Sequence, residues 1–128
     1  MSSAARSLMV FAAYLATLGP LLITVPDILI APFGFPEIQD VWIRVVGAIV
    51  VCLAFYYWTA AKYDLTPFIR ATVQVRGSMA FVFAGFVFME WAPPTMLIFG
   101  LVDLFGALWT HLCMRRDALE QLRRAAEK

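Results

Sequence analysis

Four ionisable side chains stand inside apolar stretches of this sequence: Arg44, Arg76, Asp103 and His111. Asp103 lies in the middle of the run FGLVDLFGALWTHL, and a charge in such a run is costly and needs a partner. One explanation is structural, with an arginine pairing the carboxylate and setting how the helices pack. The other is functional, with Asp103 titrating in a proton relay or holding a cation.

His111 is the single histidine, and it shares a helix face with Asp103. One histidine excludes bis-histidine haem, and the order HLC is not a metal-ligand spacing. We therefore interpret His111 as a hydrogen-bonding residue near the membrane surface. The sequence holds no GxSxG, HExxH, Walker or GxGxxG motif. We predict no catalytic residue, no metal, no cofactor and a role that is not enzymatic.

The composition indicates that the surrounding medium is lipid. Hydrophobic residues make up 62% of the 128 residues and charged residues 15%, whereas soluble proteins have about 45–50% and about 25%. The net charge of +1 gives no reason to expect nucleic-acid binding. Cys52 and Cys113 stand far apart with no CxxC spacing, so we expect two core thiols and no disulfide framework.

Four stretches reach the length of about 20 mostly apolar residues that a membrane-spanning helix needs. They are residues 7–25, 41–61, 68–91 and 95–114. Pro93-Pro94 separates the last two so tightly that they are expected to form an antiparallel hairpin. Thr66-Pro67 is typical of an N-cap and a first helical residue, which predicts where the third helix begins.

Two segments lie outside these spans. Residues 26–40 contain the run ILIAPFGF, which is either an interfacial or shallow re-entrant piece or a loop packed over the helix ends. Residues 115–128 are charged but keep helical spacing, with Glu120 and Arg124 as an i,i+4 pair, so they extend the last helix into the cytoplasm. The chain is thus expected to be one all-α domain, an antiparallel four-helix transmembrane bundle.

Basic residues are concentrated on the side of the bundle that holds the N-terminus, the second loop and the C-terminus. They are Arg6, Lys62, Arg70, Arg115, Arg116, Arg123, Arg124 and Lys128. The acidic residues of the opposite, outer side are Asp27, Glu37, Asp40 and Glu90. This asymmetry predicts that both termini are cytoplasmic, in a multi-pass protein of the cell membrane. The expected aromatic belts are Trp42 and Trp91 outside, and Tyr56, Tyr57, Trp58 and Tyr63 inside.

The face of the last span that carries Asp103 is built from small residues, which let helices approach closely. Its members are Gly100, Gly106, Ala107 and Thr110, whereas Leu101, Phe105, Leu108 and Leu112 lie opposite and should meet lipid. The face of Arg76 is also small, with Val73, Gly77, Ala80 and Ala84.

Two arginines compete for Asp103. At a rise of about 1.5 Å per residue, Arg76 and Asp103 differ in height by about one helical turn, which an arginine side chain can cover. Arg44 enters about one turn below the outer surface and can reach inward to Asp103 or outward to the acidic residues. We predict an Arg76–Asp103 ion pair, with Arg44 nearer the outer acidic cluster.

The layout resembles the small four-helix bacterial membrane proteins of the DoxX-like kind. The stretches VWIRVVGAIVVCLAFYYWTAAKYDLTPFIR and LIFGLVDLFGALWTHL carry the resemblance, which covers the last three spans. It implies a four-helix bundle in a bacterial inner membrane, and it transfers no catalytic residue. Some of these proteins are described as partners of quinone-linked oxidoreductases. Small multidrug transporters are less similar, because their essential acid lies in the first helix and residues 7–25 contain none.

Three functions follow as hypotheses. The first is a small accessory or assembly subunit of a larger membrane complex, or a homo-oligomer. The second is a binder or carrier of a lipid-like, quinone-like or small amphipathic ligand, which requires a cavity that reaches Arg44, Arg76 and Asp103. The third, a membrane oxidoreductase subunit with its own cofactor, has the least support because there is one histidine.

Overall fold

The computed structural model describes residues 1–35 and 41–127, and these residues are helical throughout most of their length. The helices are α1 (Ser3–Thr24), α2 (Pro26–Ile30), α3 (Trp42–Lys62), α4 (Thr66–Phe88) and α5 (Leu97–Ala126), with single 3₁₀ turns at Ala31–Phe33 and Pro94–Met96. The described ranges contain no strand, which confirms the all-α fold class.

Four of these helices, α1, α3, α4 and α5, are long and apolar enough to cross a membrane, as the four predicted spans require. Their ends differ slightly from the prediction. The third span ends at Phe88 and not at Trp91, because Glu90 takes a left-handed conformation (φ 59°) ahead of Pro93-Pro94. The charged tail continues α5 to Ala126, and its Glu120–Arg124 pair is formed at 4.0 Å on an exposed surface, where it adds little stability.

The start of α4 differs from the predicted cap. Leu65 occupies the N-cap position with no side-chain hydrogen bond, and Thr66 is already helical. The cause is the way α3 ends: Asp64 is left-handed (φ 52°), and the N–H groups of Leu65 and Asp64 donate to the carbonyls of Ala60 and Ala61. This closure reverses the chain at once and leaves no residue over which a threonine cap can form.

The helices pack as two pairs joined through α1 and α5. Helix α1 packs mainly against α3, α4 packs mainly against α5, and α1 also lies along α5. Although α3 and α4 follow one another in the chain, they touch at few positions. A solid apolar core fills the end where α1 begins, built around Leu8, Tyr57 and Ile69.

The contact between α1 and α3 depends on two glycines. A Cβ on Gly47 would lie 2.9 Å from the carbonyl oxygen of Gly19, and one on Gly19 would lie 3.0 Å from the carbonyl oxygen of Gly47. Both distances are shorter than packed side chains accept, so the two backbones are in direct contact. Gly100 has a looser version of this role on α5, where its Cβ would lie 3.2 Å from the Cα of Ala80 on α4.

Carboxylates from two other elements hold the N-terminus of α1. Asp64 accepts hydrogen bonds from the N–H (2.7 Å) and hydroxyl (2.6 Å) of Ser2, and Asp117 accepts from the N–H groups of Ser3 (3.1 Å) and Ala4 (2.9 Å). Partial burial opposes ionisation of Asp117, but these backbone hydrogen bonds outweigh it and lower its pKa. Unpaired N–H groups at a helix N-terminus favour negative charge. The beginning of α1, the α3–α4 turn and the charged part of α5 therefore meet at one end of the molecule.

The segment after α1 covers the other end of the helices. Pro26 and Ile30 of α2 are buried, the ring of Phe33 lies 4.8 Å from that of Phe99 between centroids, and the Thr95 hydroxyl donates to the carbonyl of Phe33. For residues 26–35 these contacts agree with a loop packed over the helix ends. The rest of the predicted segment, 36–40, lies outside the described residues.

Two of the expected side-chain positions are wrong. Tyr57 is 7% exposed and contacts Phe11 and Phe68, so it belongs to the interior and not to an interfacial belt. It shares the buried face of α3 with Gly47 and Ala54, at helical spacing. Cys52, expected in the core, is exposed because it lies on the opposite side of α3.

The glycine contact can be tested with a matched pair of alanine variants. Gly47→Ala forces a methyl group against the backbone of α1 and is expected to lower the free energy of unfolding by about 1–3 kcal/mol. Gly77→Ala on α4 has no other heavy atom of the described chain within 4 Å of the new carbon. It should leave stability unchanged or raise it by up to about 1 kcal/mol through helix propensity. Denaturation in detergent micelles measures both, and equal shifts would contradict the close approach.

Candidate functional site

A cavity of about 700 Å³ lies between the helices. Its walls are apolar side chains from all five helices, among them Leu18, Ile49 and Phe83. It begins under the segment that covers the helix ends, where Ile30 and Phe35 line it, and extends to the level of Phe11 at the edge of the solid core.

Oxygen atoms are rare in the side chains that line this cavity. Among the lining residues of the described ranges, only Tyr14, Tyr57 and Asp103 carry one. Asp103 is the sole carboxylate of the lining, and it is half-buried. Within the described residues, the cavity therefore has apolar walls, two phenol groups and one carboxyl group.

The cavity is open on the side where α3 and α4 fail to meet. Several lining residues of these helices are also exposed on the outer surface: Val46 to 47%, Ile49 to 55% and Val75 to 54%. A side chain can line the cavity and face outward only at its mouth. If the four long helices cross a bilayer, this mouth opens sideways into hydrocarbon.

Arg76 is buried behind Phe11. Its side chain is on α4, the whole residue is 3% exposed, and its guanidinium carbon lies 3.5 Å from the centroid of the Phe11 ring. This geometry is a cation–π contact, which is strongest where water is excluded. The guanidinium also lies directly against Gly106 of α5, where any Cβ would collide with it.

The predicted Arg76–Asp103 ion pair is not formed. In the described part of the chain, no acceptor reaches Nε, Nη1 or Nη2 of Arg76, and no carboxylate oxygen lies within 4.0 Å of it. Gly106 and the face of Phe11 accommodate the guanidinium one turn away from the carboxylate, because Asp103 precedes Gly106 by three residues on α5.

Arg44 has a different role from the one predicted. Its Nη1 donates to the carbonyl oxygens of Ile23 and Thr24, the latter at 3.5 Å, at the end of α1. Those carbonyls have no partner within the helix, and a cation there also complements the helix dipole. Arg44 therefore joins α3 to α1 and is not part of the cavity wall. Of its predicted acidic partners, Asp27 does not approach it within 4.0 Å, and Glu37 and Asp40 lie outside the described residues.

His111 lies on the exposed side of α5, about two turns beyond Asp103. The structure does not bring it to Arg76 or to the cavity. Within residues 1–35 and 41–127, no three histidine, cysteine or acidic side chains are grouped as metal ligands. Of the four candidate residues, the structure thus brings together Arg76 and Asp103 and separates Arg44 and His111 from them.

Sequence reasoning missed the aromatic part of the site. Phe11 provides the surface on which Arg76 stacks, and Tyr14 and Tyr57 provide the cavity's hydroxyl groups. The position of Tyr57 is visible in the sequence, since Gly47, Val50, Ala54 and Tyr57 recur on one helix face. Ser7 and Tyr14, at i−4 and i+3 of Phe11, are the signal that could have marked the inner face of α1, since Ser7 is buried and Tyr14 lines the cavity.

The chain matches no family model, and no curated protein or solved structure matches it either. The resemblance to the DoxX-like proteins therefore stays a prediction.

The unpaired state of Arg76 can be tested by its effect on stability. Replacing a buried charge by an apolar side chain of similar size is often neutral or stabilising by about 1–4 kcal/mol. We expect Arg76→Met to keep or raise the free energy of unfolding of the ligand-free protein in detergent. Arg70→Met, at an exposed position of α4, is the control and should stay within about 0.5 kcal/mol of the parent. A loss of about 3–5 kcal/mol in Arg76→Met would mean that the guanidinium is paired.

Proposed function

We propose that this protein is an integral membrane protein that binds a lipophilic molecule in the cavity between its helices. The observation that carries this proposal is an apolar cavity of about 700 Å³ whose lining, among the described residues, contains one carboxylate. Ligand cavities of proteins are typically about 300–1,000 Å³ and mostly apolar, with few polar groups. An apolar space of this kind is unsuited to water, which needs several polar partners.

The mouth between α3 and α4 supports entry from the side. Lining residues that are also exposed, such as Val46 and Val75, would touch acyl chains in a bilayer. A lipophilic molecule could then pass from hydrocarbon to hydrocarbon without crossing water. A lipophilic molecule gains little free energy by moving from lipid to the apolar walls, because both surroundings are apolar. Selectivity therefore has to come from the shape of the cavity and from the few polar groups that line it.

We further propose that the four long helices form an antiparallel bundle with both termini cytoplasmic. The hydrogen bonds of Ser2 to Asp64 and of Ser3 and Ala4 to Asp117 support this topology, because they join the N-terminus, the second loop and the charged tail at one end. That end also holds most of the basic residues, as the positive-inside rule requires of a cytoplasmic side.

A second candidate function, a subunit that associates with copies of itself, is favoured by one face of α4. Gln74 and Ser78 are polar, Gly85 is small, and all three are exposed on an otherwise apolar helix. In a bilayer, small and polar residues on a lipid-facing surface favour contact with another helix. The two candidates are compatible, since this face lies outside the cavity lining.

Ligand binding can be tested by narrowing the mouth. Val46→Trp places a large ring at a cavity-lining position, whereas Val45→Trp adds the same ring to its neighbour, which is 40% exposed and faces away from the cavity. We expect Val46→Trp to lose most photolabelling by a hexadecane that carries a mid-chain diazirine, in lipid nanodiscs. Labelling of Val45→Trp should equal that of the parent. Equal labelling of the two variants, or labelled peptides outside the cavity walls, would contradict the proposal.

Self-association can be tested by native mass spectrometry of protein released from membranes. We expect the mass of a dimer or a higher oligomer, and the variant Ser78→Leu/Gly85→Leu should shift it towards the monomer by removing the small contact surface. Leu101→Phe, an equally outward change on α5, should leave the mass unchanged. A monomer in the parent protein would contradict this second candidate.

A further inference from the structure

We propose that the ligand is a lipophilic alcohol whose hydroxyl group bridges Arg76 and Asp103, so that the cavity prefers a neutral hydroxyl to an acid, an amine or a plain hydrocarbon of the same chain. This inference rests on the proposed function, because it names the polar end of the molecule that the cavity holds.

The first argument is a pair of unsatisfied groups at the cavity wall: Asp103 lines the cavity, and Arg76 lies behind Phe11. In the described residues, Arg76 has three donor nitrogens without an acceptor, and Asp103 forms no ion pair. A buried polar group without a partner carries the full cost of its desolvation. What is missing at this place is one group that accepts from the guanidinium and donates to the carboxylate, and a hydroxyl does both.

The second argument is distance. The guanidinium lies against Gly106, which follows Asp103 by three residues on α5, a rise of about 4.5 Å along the helix. The guanidinium and the carboxylate do not approach within 4.0 Å. One oxygen atom fits between a donor and an acceptor at such a separation, since each hydrogen bond spans about 2.7–3.0 Å.

The third argument is charge. The charges of Arg76 and Asp103 sum to zero; Arg76 is buried, and Asp103 is half-buried in the wall of an apolar cavity. A carboxylate or an ammonium group on the ligand would bring a charge that nothing there compensates, which is costly in a low dielectric. A hydrocarbon would bring no charge but would leave both groups unpaired.

The path from the cavity to Arg76 runs past Phe11. The ring of Phe11 lines the cavity and also contacts the guanidinium, so it is the single layer between them. Gly106 offers no side chain that would hold the guanidinium in place. A bridging hydroxyl therefore requires the guanidinium to move past the edge of the Phe11 ring towards Asp103.

The test is a competition among four molecules that have the same alkyl chain and differ in their end group. The probe is the diazirine-bearing hexadecane in nanodiscs, and the competitors are hexadecanol, hexadecanoate, hexadecylamine and hexadecane, each given as a mole fraction of the lipid. In the parent protein, hexadecanol should displace the probe at a mole fraction at least about tenfold lower than the other three, because hydrogen bonds to charged groups are the strong ones.

Two single variants invert the preference if the charge argument holds. Asp103→Asn leaves Arg76 uncompensated, and hexadecanoate should become the best competitor. Arg76→Met leaves Asp103 uncompensated, and hexadecylamine should become the best. The double variant Arg76→Met/Asp103→Asn should bind the probe and rank the competitors nearly equally, which keeps the test valid if one single variant fails to fold.

Each outcome separates the inference from the function on which it rests. If the parent protein is not labelled and no competitor acts, the proposed function is wrong. If the probe is displaced equally by all four competitors, the cavity binds hydrocarbon but the inference fails, as expected if Arg76 swings onto Asp103 and closes the gap. If hexadecanoate or hexadecylamine is the best competitor of the parent, the site recognises a charged group and the inference is overturned.

Discussion

The direct contact of two backbones, at Gly19 of α1 and Gly47 of α3, is the constraint from which the rest of the arrangement follows. It draws α3 onto α1, while Gly100 allows α5 to approach α4. Each helix pair is close within itself, and the two pairs are joined through α1 and α5. Because α3 is committed to α1 and α4 to α5, these two consecutive helices are left apart over much of their length. The cavity occupies that separation.

The electrostatics of the cavity wall follow from this packing. Arg76 extends from α4 towards α1 and reaches a place where Gly106 leaves room and the face of Phe11 attracts a cation. The guanidinium fits into this space, but within the described chain none of its nitrogen atoms donates a hydrogen bond. A buried cation near a half-buried carboxylate, with no ion pair between them, leaves the desolvation free energy of both groups uncompensated. A bound molecule that supplies the missing hydrogen-bond partners would offset this free energy.

The two ends of the helices are built differently. At one end, Asp64 and Asp117 secure the first turn of α1 over a solid core, and the free N–H groups there explain why carboxylates are suited to the task. At the other end, Arg44 secures the last turn of α1, where the free carbonyls suit a cation, and the short helix α2 covers the cavity. Helix α1 is thus fixed by opposite charges at its opposite ends, in agreement with the direction of its dipole.

Much of this molecule is determined by the sequence alone. The length and apolar character of four segments, the breaks at Pro26 and Pro93, and the small face of α5 through Gly100, Ala107 and Thr110 could all be predicted, because each depends on local spacing and side-chain type. Candidate residues Arg76 and Asp103 were recognisable because a charge in an apolar run is conspicuous. Whether they touch was not predictable, since it depends on where Phe11 and Gly106 meet in space. The separation of α3 from α4, and hence the cavity, was decided by tertiary packing. The close contact between Gly19 and Gly47 commits α3 to α1, and this leaves α3 too far from α4 for the two helices to pack along their length.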